Sequence, residues 1–315
     1  MKTGLIIQGP LFSPGFGPYE FQSDGSFEKS WIAYDCVENI QGIIKVAQNL
    51  FDVIVISTWA NPTYTDFLEN LQNCNGVEIV LLNESERLQE LHQLGMHKYH
   101  QIETLRAGAS KLEELGCEVV AKVRTDHSIN LEVLYKHVER HKGKNKNSLG
   151  VPNINLFELD RLTDFYFVGR TSVIVGMCDY YLSSPELCPD PHRDYFLKFL
   201  TFLSSDDFLV DKIRNFKSSF IRDFNCIFVW THYFYPLSAG LFKTFFWRGR
   251  RVNHRLNGWI RWFHTFHSSH NFVSSWKFPL NLFAILSVRE IKRPTIRFSS
   301  AILFRLYRKK SHRLL

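Results

Sequence analysis

The stretch Val119–Asn130, VVAKVRTDHSIN, ends an apolar run in a cation and a carboxylate. Val119-Val120-Ala121 lead through Lys122 and Val123 to Arg124, Thr125 and Asp126, with His127 next. The apolar part reads as a buried strand, and open α/β sheets take their ligands at the carboxyl ends of strands. Arg124 can hold a phosphate through its fork of N–H donors. Asp126 can hold a divalent metal or a sugar hydroxyl. Two residues apart on a strand, they share a side. The pattern offers one carboxylate and not a paired D-x-D, so it points first to a phosphorylated ligand such as a nucleotide-sugar. Mg²⁺ or Mn²⁺ on Asp126 is the cofactor it admits. The plainer readings are that Asp126 caps a helix starting near Leu131 and that Arg124 pairs with a neighbouring acid.

Other polar residues close other apolar runs. Gln8-Gly9-Pro10 follows the first run, either as a strand terminator or as a loop whose backbone N–H groups approach a base or phosphate. Ser57-Thr58-Trp59 ends the second, with Trp59 either stacked on a base or sugar or half-buried in the core. His97, His100, Gln101, Thr104 and Arg106 surround the expected start of a helix whose N-terminal amides would suit a phosphate. The two histidines alone do not make a zinc ligand set, so zinc is not expected there. Asp160 and Asp164 precede the run FYFVG and read as turn acids or as a source of a general base, with Asp164 the residue chosen. Asp190 and Asp206-Asp207 read as helix-boundary residues. Gly15 and Gly17 do not form the G-x-G-x-x-G fingerprint, and no Walker A motif is present.

The elements that must position these groups follow from periodicity. Short apolar runs at Gly4–Gln8, Asp52–Trp59, Val77–Leu82 and Val119–Val123 read as strands. Helical spacing marks Asp35–Leu50, a segment from Asn61-Pro62 to about Leu71, and Gln101–Leu115 closed by Gly116. A loop is expected over 12–27. Alternation of this kind implies βαβ units and a mostly parallel sheet. Right-handed crossovers then bring Gln8-Gly9, Ser57-Thr58-Trp59, Asn83 and Arg124–Asp126 to one edge. Later helices are expected from Thr171 or Ser172 to about Leu182 and over Asp194–Leu203.

The chain has 315 residues and is 45% hydrophobic, enough to bury a core. Of its 38 Lys+Arg and 31 Asp+Glu, 16 cations and a single acid, Glu290, fall in residues 241–315. That leaves 22 cations against 30 acids ahead of them, so an acidic body carries a basic, aromatic tail. Ser299–Arg313 reads as a basic amphipathic helix, and the tail as a surface for anionic lipid. Neither an RNP pattern nor a regular display of aromatics on strands is present, so no nucleic-acid partner is expected. The six cysteines form no CxxC pair and read as reduced core residues, which favours the cytoplasm. No signal peptide and no confident membrane span are read; Asn225–Phe242 lacks charge but holds Asn225, Thr231, His232 and Pro236.

Five motifs in order, IIQGPL (Ile6–Leu11), VISTW (Val55–Trp59), HQIETLRAG (His100–Gly108), KVRTD (Lys122–Asp126) and DFYFVG (Asp164–Gly169), resemble the WavE lipopolysaccharide-synthesis family. The likeness runs from about Lys2 to Tyr181. It implies a GT-A-like, Rossmann-type α/β fold and glycosyltransferase-like work in bacterial surface polysaccharide assembly. It makes Gln8, Gly9, Thr58, Gln101, Thr104, Arg124 and Asp126 the matched positions, with Asp164 and Gly169 in the later motif. His97 and His100 stand where the family pattern would put Asn and Arg. The expectation is a glycosyltransferase domain at 1–215 and a basic, helical, membrane-peripheral region at 216–315, on the inner face of the plasma membrane. The donor would be a nucleotide-sugar, bound by Gln8, Gly9, Thr58, Trp59, Gln101, Thr104 and Arg124. The acceptor would be a lipopolysaccharide or capsule glycan, itself lipid-linked. Asp126 and Asp164 would be the catalytic carboxylates. A non-catalytic scaffold that recruits assembly enzymes to the membrane is the alternative.

Overall fold

The structure is a computed structural model that describes residues 1–251 apart from 19, 22–26, 29, 94–96, 144–146, 153–160, 185–186, 188–189, 216–225, 227–228, 230–232, 238–240 and 242–244. Asp160, Cys188, most of Asn225–Phe242 and the stretch Ser299–Arg313 lie outside the described residues. The described residues all belong to one compact unit, Met1–Ser268.

In chain order the elements begin with β1 (Thr3–Gln8), β2 (Phe12–Phe16), β3 (Glu20–Phe21), β4 (Phe27–Glu28), β5 (Trp31–Asp35) and α1 (Val37–Ala47). There follow β6 (Val53–Trp59), a 3-10 turn at Pro62–Tyr64, α2 (Thr65–Gln72), β7 (Val77–Leu82), α3 (Glu86–Gln93) and α4 (Lys98–Glu114). Then come β8 (Val119–Arg124), β9 (His127–Ser128), α5 (Leu131–His141), β10 (Leu149–Val151) and β11 (Phe167–Arg170). The rest are α6 (Thr171–Ser183), α7 (Pro191–Ser204), α8 (Asp207–Asn215), β12 (Phe234–Pro236), β13 (Phe246–Trp247) and β14 (Arg250–Arg251).

One seven-stranded sheet runs in the order β12-β10-β11-β8-β1-β6-β7. β1, β6, β7 and β8 are parallel, and β11 enters antiparallel to β8. This is the mostly parallel, helix-flanked α/β sheet of Rossmann type that the sequence implied. Of the four strands read from their apolar runs, β8, β1 and β6 lie inside the sheet, buried on both faces with no polar side to show, and β7 forms its partly exposed edge. One face packs Leu5, Ile7, Ile54, Ile56, Val119 and Ala121 against Ile40 and Ile44 of α1 and Leu134 and Val138 of α5. On the other face Gly108 lets α4 lie close: a Cβ there would meet Ile6 Cγ2 at 2.8 Å and Ser57 Cβ at 3.1 Å.

Several expectations are refined. α4 starts at Lys98, three residues before the expected Gln101, and ends as read, with Gly116 at φ 77° beyond its last turn. Asn130 caps α5 by accepting from the Val133 amide, so Asp126 is no cap. Asp190 caps α7 and Asp206 accepts from Leu209 at the start of α8, as helix-boundary residues should. α6 starts at Thr171 as expected, and the Thr171 hydroxyl donates to Cys117 O at 2.6 Å. The expected loop over 12–27 instead contains β2, paired with β5. Beyond position 216, β12 joins the sheet edge beside β10, and β13 pairs with β9. Cys36, Cys117, Cys178 and Cys226 are buried free thiols, as expected of small core residues, and Cys74 is half-buried.

Candidate functional site

The order of strands in the sheet places the site. The chain leaves β1 toward β6 and β7, then returns to add β8 on the other side of β1, so the strand order reverses between β1 and β8. Such reversals open the crevice in which α/β sheets bind ligands. Three of the anticipated strand ends meet there in register: Gln8 lies opposite Arg124 on one side and Ser57 on the other.

Arg124 is the hub. Its Nε donates to Asp126 Oδ1 at 2.9 Å and its Nη2 to Asp126 Oδ2 at 3.1 Å, a two-point pair. Its Nη1 donates to Asp164 Oδ2 at 3.1 Å. The Gln101 amide, oriented to satisfy its neighbours, accepts from Arg124 Nη1 at 3.2 Å and donates to Asp164 and to Tyr195. The catalytic pair expected from the sequence, Asp126 and Asp164, is thus brought together on one guanidinium. Burial alone would raise both carboxyls, but Arg124 overcomes it and holds each below the usual carboxylate range, with the Ser13 hydroxyl bonded to Asp126 and Lys122 beside Asp164.

Two basic side chains, Lys122 and His127, are buried beneath the hub. Lys122 is fully buried under the ring of Phe167, and its ammonium reaches the backbone carbonyls of Asp164 and Phe165. Burial pulls it down to about 7, against the pull of Asp164. His127 sits edge-on to Phe165, Phe245 and Trp247, and burial takes it down to about 3, so the ring is neutral.

Three residues that the sequence did not single out complete the cluster. Trp247 Nε1 donates to Asp126 Oδ2 at 3.1 Å, and Arg248 Nε lies 3.5 Å from the same oxygen. Ser13 Oγ also donates to Asp126 Oδ2, at 3.0 Å, and receives Arg248 Nε at 3.2 Å. The pairing of β13 with β9 delivers Trp247 and Arg248 to the site. The only local signal in the sequence is a Trp-Arg pair amid other aromatic residues.

The loops that carry the hub are locked together. Gly9 has φ 132°, and a Cβ there would lie 2.7 Å from Thr125 Oγ1. That hydroxyl donates to Pro10 O at 2.7 Å, and the Thr125 amide donates to Gln8 O at 3.0 Å. Asn39 holds the turn from α1, donating to Thr125 O and His127 O. Gly9 therefore serves first to let the two loops meet.

The remaining expected ligand residues divide. Trp59 lies half-buried, 5.2 Å from the ring of His100, whose Nε2 pairs with Glu84. Thr58 is fully buried, with no partner for its hydroxyl. Thr104 is also fully buried, and it donates back to the carbonyls of His100 and Gln101; this corrects its reading as a donor-binding residue. The earlier start of α4 moves Gln101 inside the helix, where its side chain and not its amide serves the site. Arg106 turns away to Asp179.

A divalent cation needs several oxygen ligands with free lone pairs. Here Asp126 is 1% exposed, and both its oxygens are engaged by N–H or O–H donors. Asp164 shares its charge with the same arginine, and no group of three or more His, Cys, Asp or Glu suited to a metal occurs among the described residues. The site does not fit Mg²⁺ or Mn²⁺.

The chain is an α/β protein of Rossmann type with an arginine–dicarboxylate cluster at the switch point of its sheet. No protein-family model and no curated protein matches it. Among solved structures it is similar to 4-diphosphocytidyl-2C-methyl-D-erythritol synthase from Anaerococcus prevotii, at 13% identity over 62% of this chain and 81% of that one, TM-score 0.33. It is also similar to HddC from Yersinia pseudotuberculosis complexed with GMP-PN, at 9% identity over 56% and 79%, TM-score 0.32. A third is mannose-1-phosphate geranyltransferase from Thermus thermophilus, at 8% identity over 62% and 67%, TM-score 0.32. At these values the fold assignment stands on the strand order and register of the chain itself. No helix among the described residues is long and apolar enough to cross a membrane.

Proposed function

We propose that the protein is a glycosyltransferase that takes a nucleotide-sugar at the β1–β8 crevice and passes the sugar to a hydroxyl of a lipopolysaccharide or capsule glycan. The observation that carries this reading is the convergence of Gln101, Arg124, Asp126 and Asp164, from three separate motifs, at the reversal point of the sheet. The ordered motif likeness to the WavE family supports the substrate class.

The geometry changes the roles first given to these residues. Arg124 spends its donors on two carboxylates and Gln101, so its work is to fix the carboxylates and not to neutralise a leaving phosphate alone. Asp126 is a buried positioning residue. Asp164 is the carboxylate that would meet the acceptor hydroxyl; it is ionised at neutral pH and oriented by Arg124 and Gln101. Trp59, half-exposed at the end of β6, would stack on the donor base or sugar.

Calorimetric titration with UDP-, GDP- and CMP-sugars tests the reading. One of them should bind, and Asp164→Asn should bind it with turnover lost. No binding by any donor, or full turnover in Asp164→Asn, removes the proposal.

A further inference from the structure

β2 and β5 form an antiparallel ribbon that pairs Phe12 with Asp35 and Phe16 with Trp31. Its alternation is inverted. Ser13, Gly15, Ile32 and Tyr34 turn to the body, while Phe12, Phe16 and Trp31 face solvent. Trp31 is 64% exposed and Phe16 54%, and their rings lock edge to face at 5.2 Å and 88°. Large aromatic residues clustered in solvent mark a contact surface. The ribbon is also fixed to the candidate site. From its inner face Ser13 bonds Asp126, and Arg248 occupies the space a Gly15 side chain would need and donates to Phe16 O at 2.6 Å.

We propose that this outer face is a saccharide-binding platform, a holding subsite for the glycan acceptor beside the Arg124 cluster; it rests on the glycosyltransferase reading. The charge around it selects the occupant. Asp35 and Glu38 are exposed beside it, and Arg248, which reaches the ribbon from its inner face, is only 11% exposed and lies against Asp126. That balance repels anionic lipid, nucleic acid and nucleotide diphosphates. A neutral sugar chain carries no charge to be repelled. Its ring presents an apolar C–H face to Trp31 and Phe16, and its hydroxyls find an acceptor in Asp35, on the same side of the ribbon. The basic tail drawn from the sequence to anionic lipid and this acidic aromatic ribbon are therefore chemically distinct surfaces.

The test uses the full chain on immobilised short neutral hexose oligosaccharides, with no nucleotide present. Wild type should be retained, Trp31→Ala should weaken retention about tenfold, and Trp31→Phe should keep most of it. Phe16→Ala should weaken it as well. Urea midpoints equal to wild type keep a loss from being ascribed to unfolding. Unretained wild type overturns the platform, as does retention unchanged in both alanine variants. Trp31-dependent sedimentation with phosphatidylglycerol vesicles, or Trp31-dependent self-association, overturns it in favour of a membrane or a second copy. Retention without binding of any nucleotide-sugar sustains the platform and removes the glycosyltransferase reading, so the two fail separately.

Discussion

Arg124 and Asp126, two residues apart at the end of β8, face each other through two hydrogen bonds of 2.9 and 3.1 Å. The third arm of the same guanidinium holds Asp164. The two acids would repel each other, and the cation between them makes them one unit.

Removing that cation leaves two ionised carboxylates with little access to water. Arg124→Ala should cost about 3–5 kcal/mol, the usual penalty for breaking a buried pair from one side. Arg124→Lys keeps the charge but loses the fork, and should cost less. Urea denaturation at neutral pH checks both, and an Arg124→Ala midpoint equal to wild type would show that the acids are neutralised otherwise.

His127 sets a pH dependence of known sign. Its folded value of about 3 lies below the ordinary value of 6.5, so the unfolded chain binds the extra proton first as pH falls. Stability should therefore be intact above pH 6.5 and decline as pH drops toward 3, by up to about 1.4 kcal/mol per unit. His127→Phe, which suits the surrounding rings, should flatten this limb. An NMR titration in which the His127 ring protonates near pH 6.5 in the folded state would refute the assignment.

Gly9→Ala should destabilise by about 1–3 kcal/mol, from a backbone angle that L residues avoid and a contact with Thr125 Oγ1. Thr125→Ala in the same chain should recover the contact part and not the backbone part. A double-mutant cycle on thermal melts separates them; zero coupling would mean that the loops do not meet as described.

Trp247→Phe keeps an aromatic ring, though a smaller one, and deletes the N–H that reaches Asp126. It should cost about 1.5–3 kcal/mol, the range for a hydrogen bond to a charged acceptor. Combined with Asp126→Asn, the two effects should be less than additive by urea titration. Full additivity would place the indole elsewhere.

The parallel centre of the fold was legible because strands covered on both faces must be written as apolar runs, as Leu5-Ile6-Ile7 and Val119-Val120-Ala121 are. The gathering of Gln8, Arg124 and Asp126 at one edge followed from topology alone. The β2–β5 ribbon was not legible. Pro14 and Gly15 read as a loop, and Phe12, Phe16 and Trp31 break the rule that apolar residues turn inward. Trp247 was out of reach for a different reason: nothing in its neighbourhood ties it to Asp126, 121 positions earlier. The salt-bridge reading of Arg124 was open from the start, but its reach to Asp164 and Gln101 needed three dimensions.

The partnership of Ser13 with Arg248 spans 235 positions. On a ribosome adding about 5–20 residues per second, Ser13 emerges roughly 10–50 s before its partner is made. Through that interval the sheet centre can form while Asp126 lacks Trp247 and Arg248. The nascent chain is therefore a fold before it is a finished site, and Arg248, made late, fastens β2, made early.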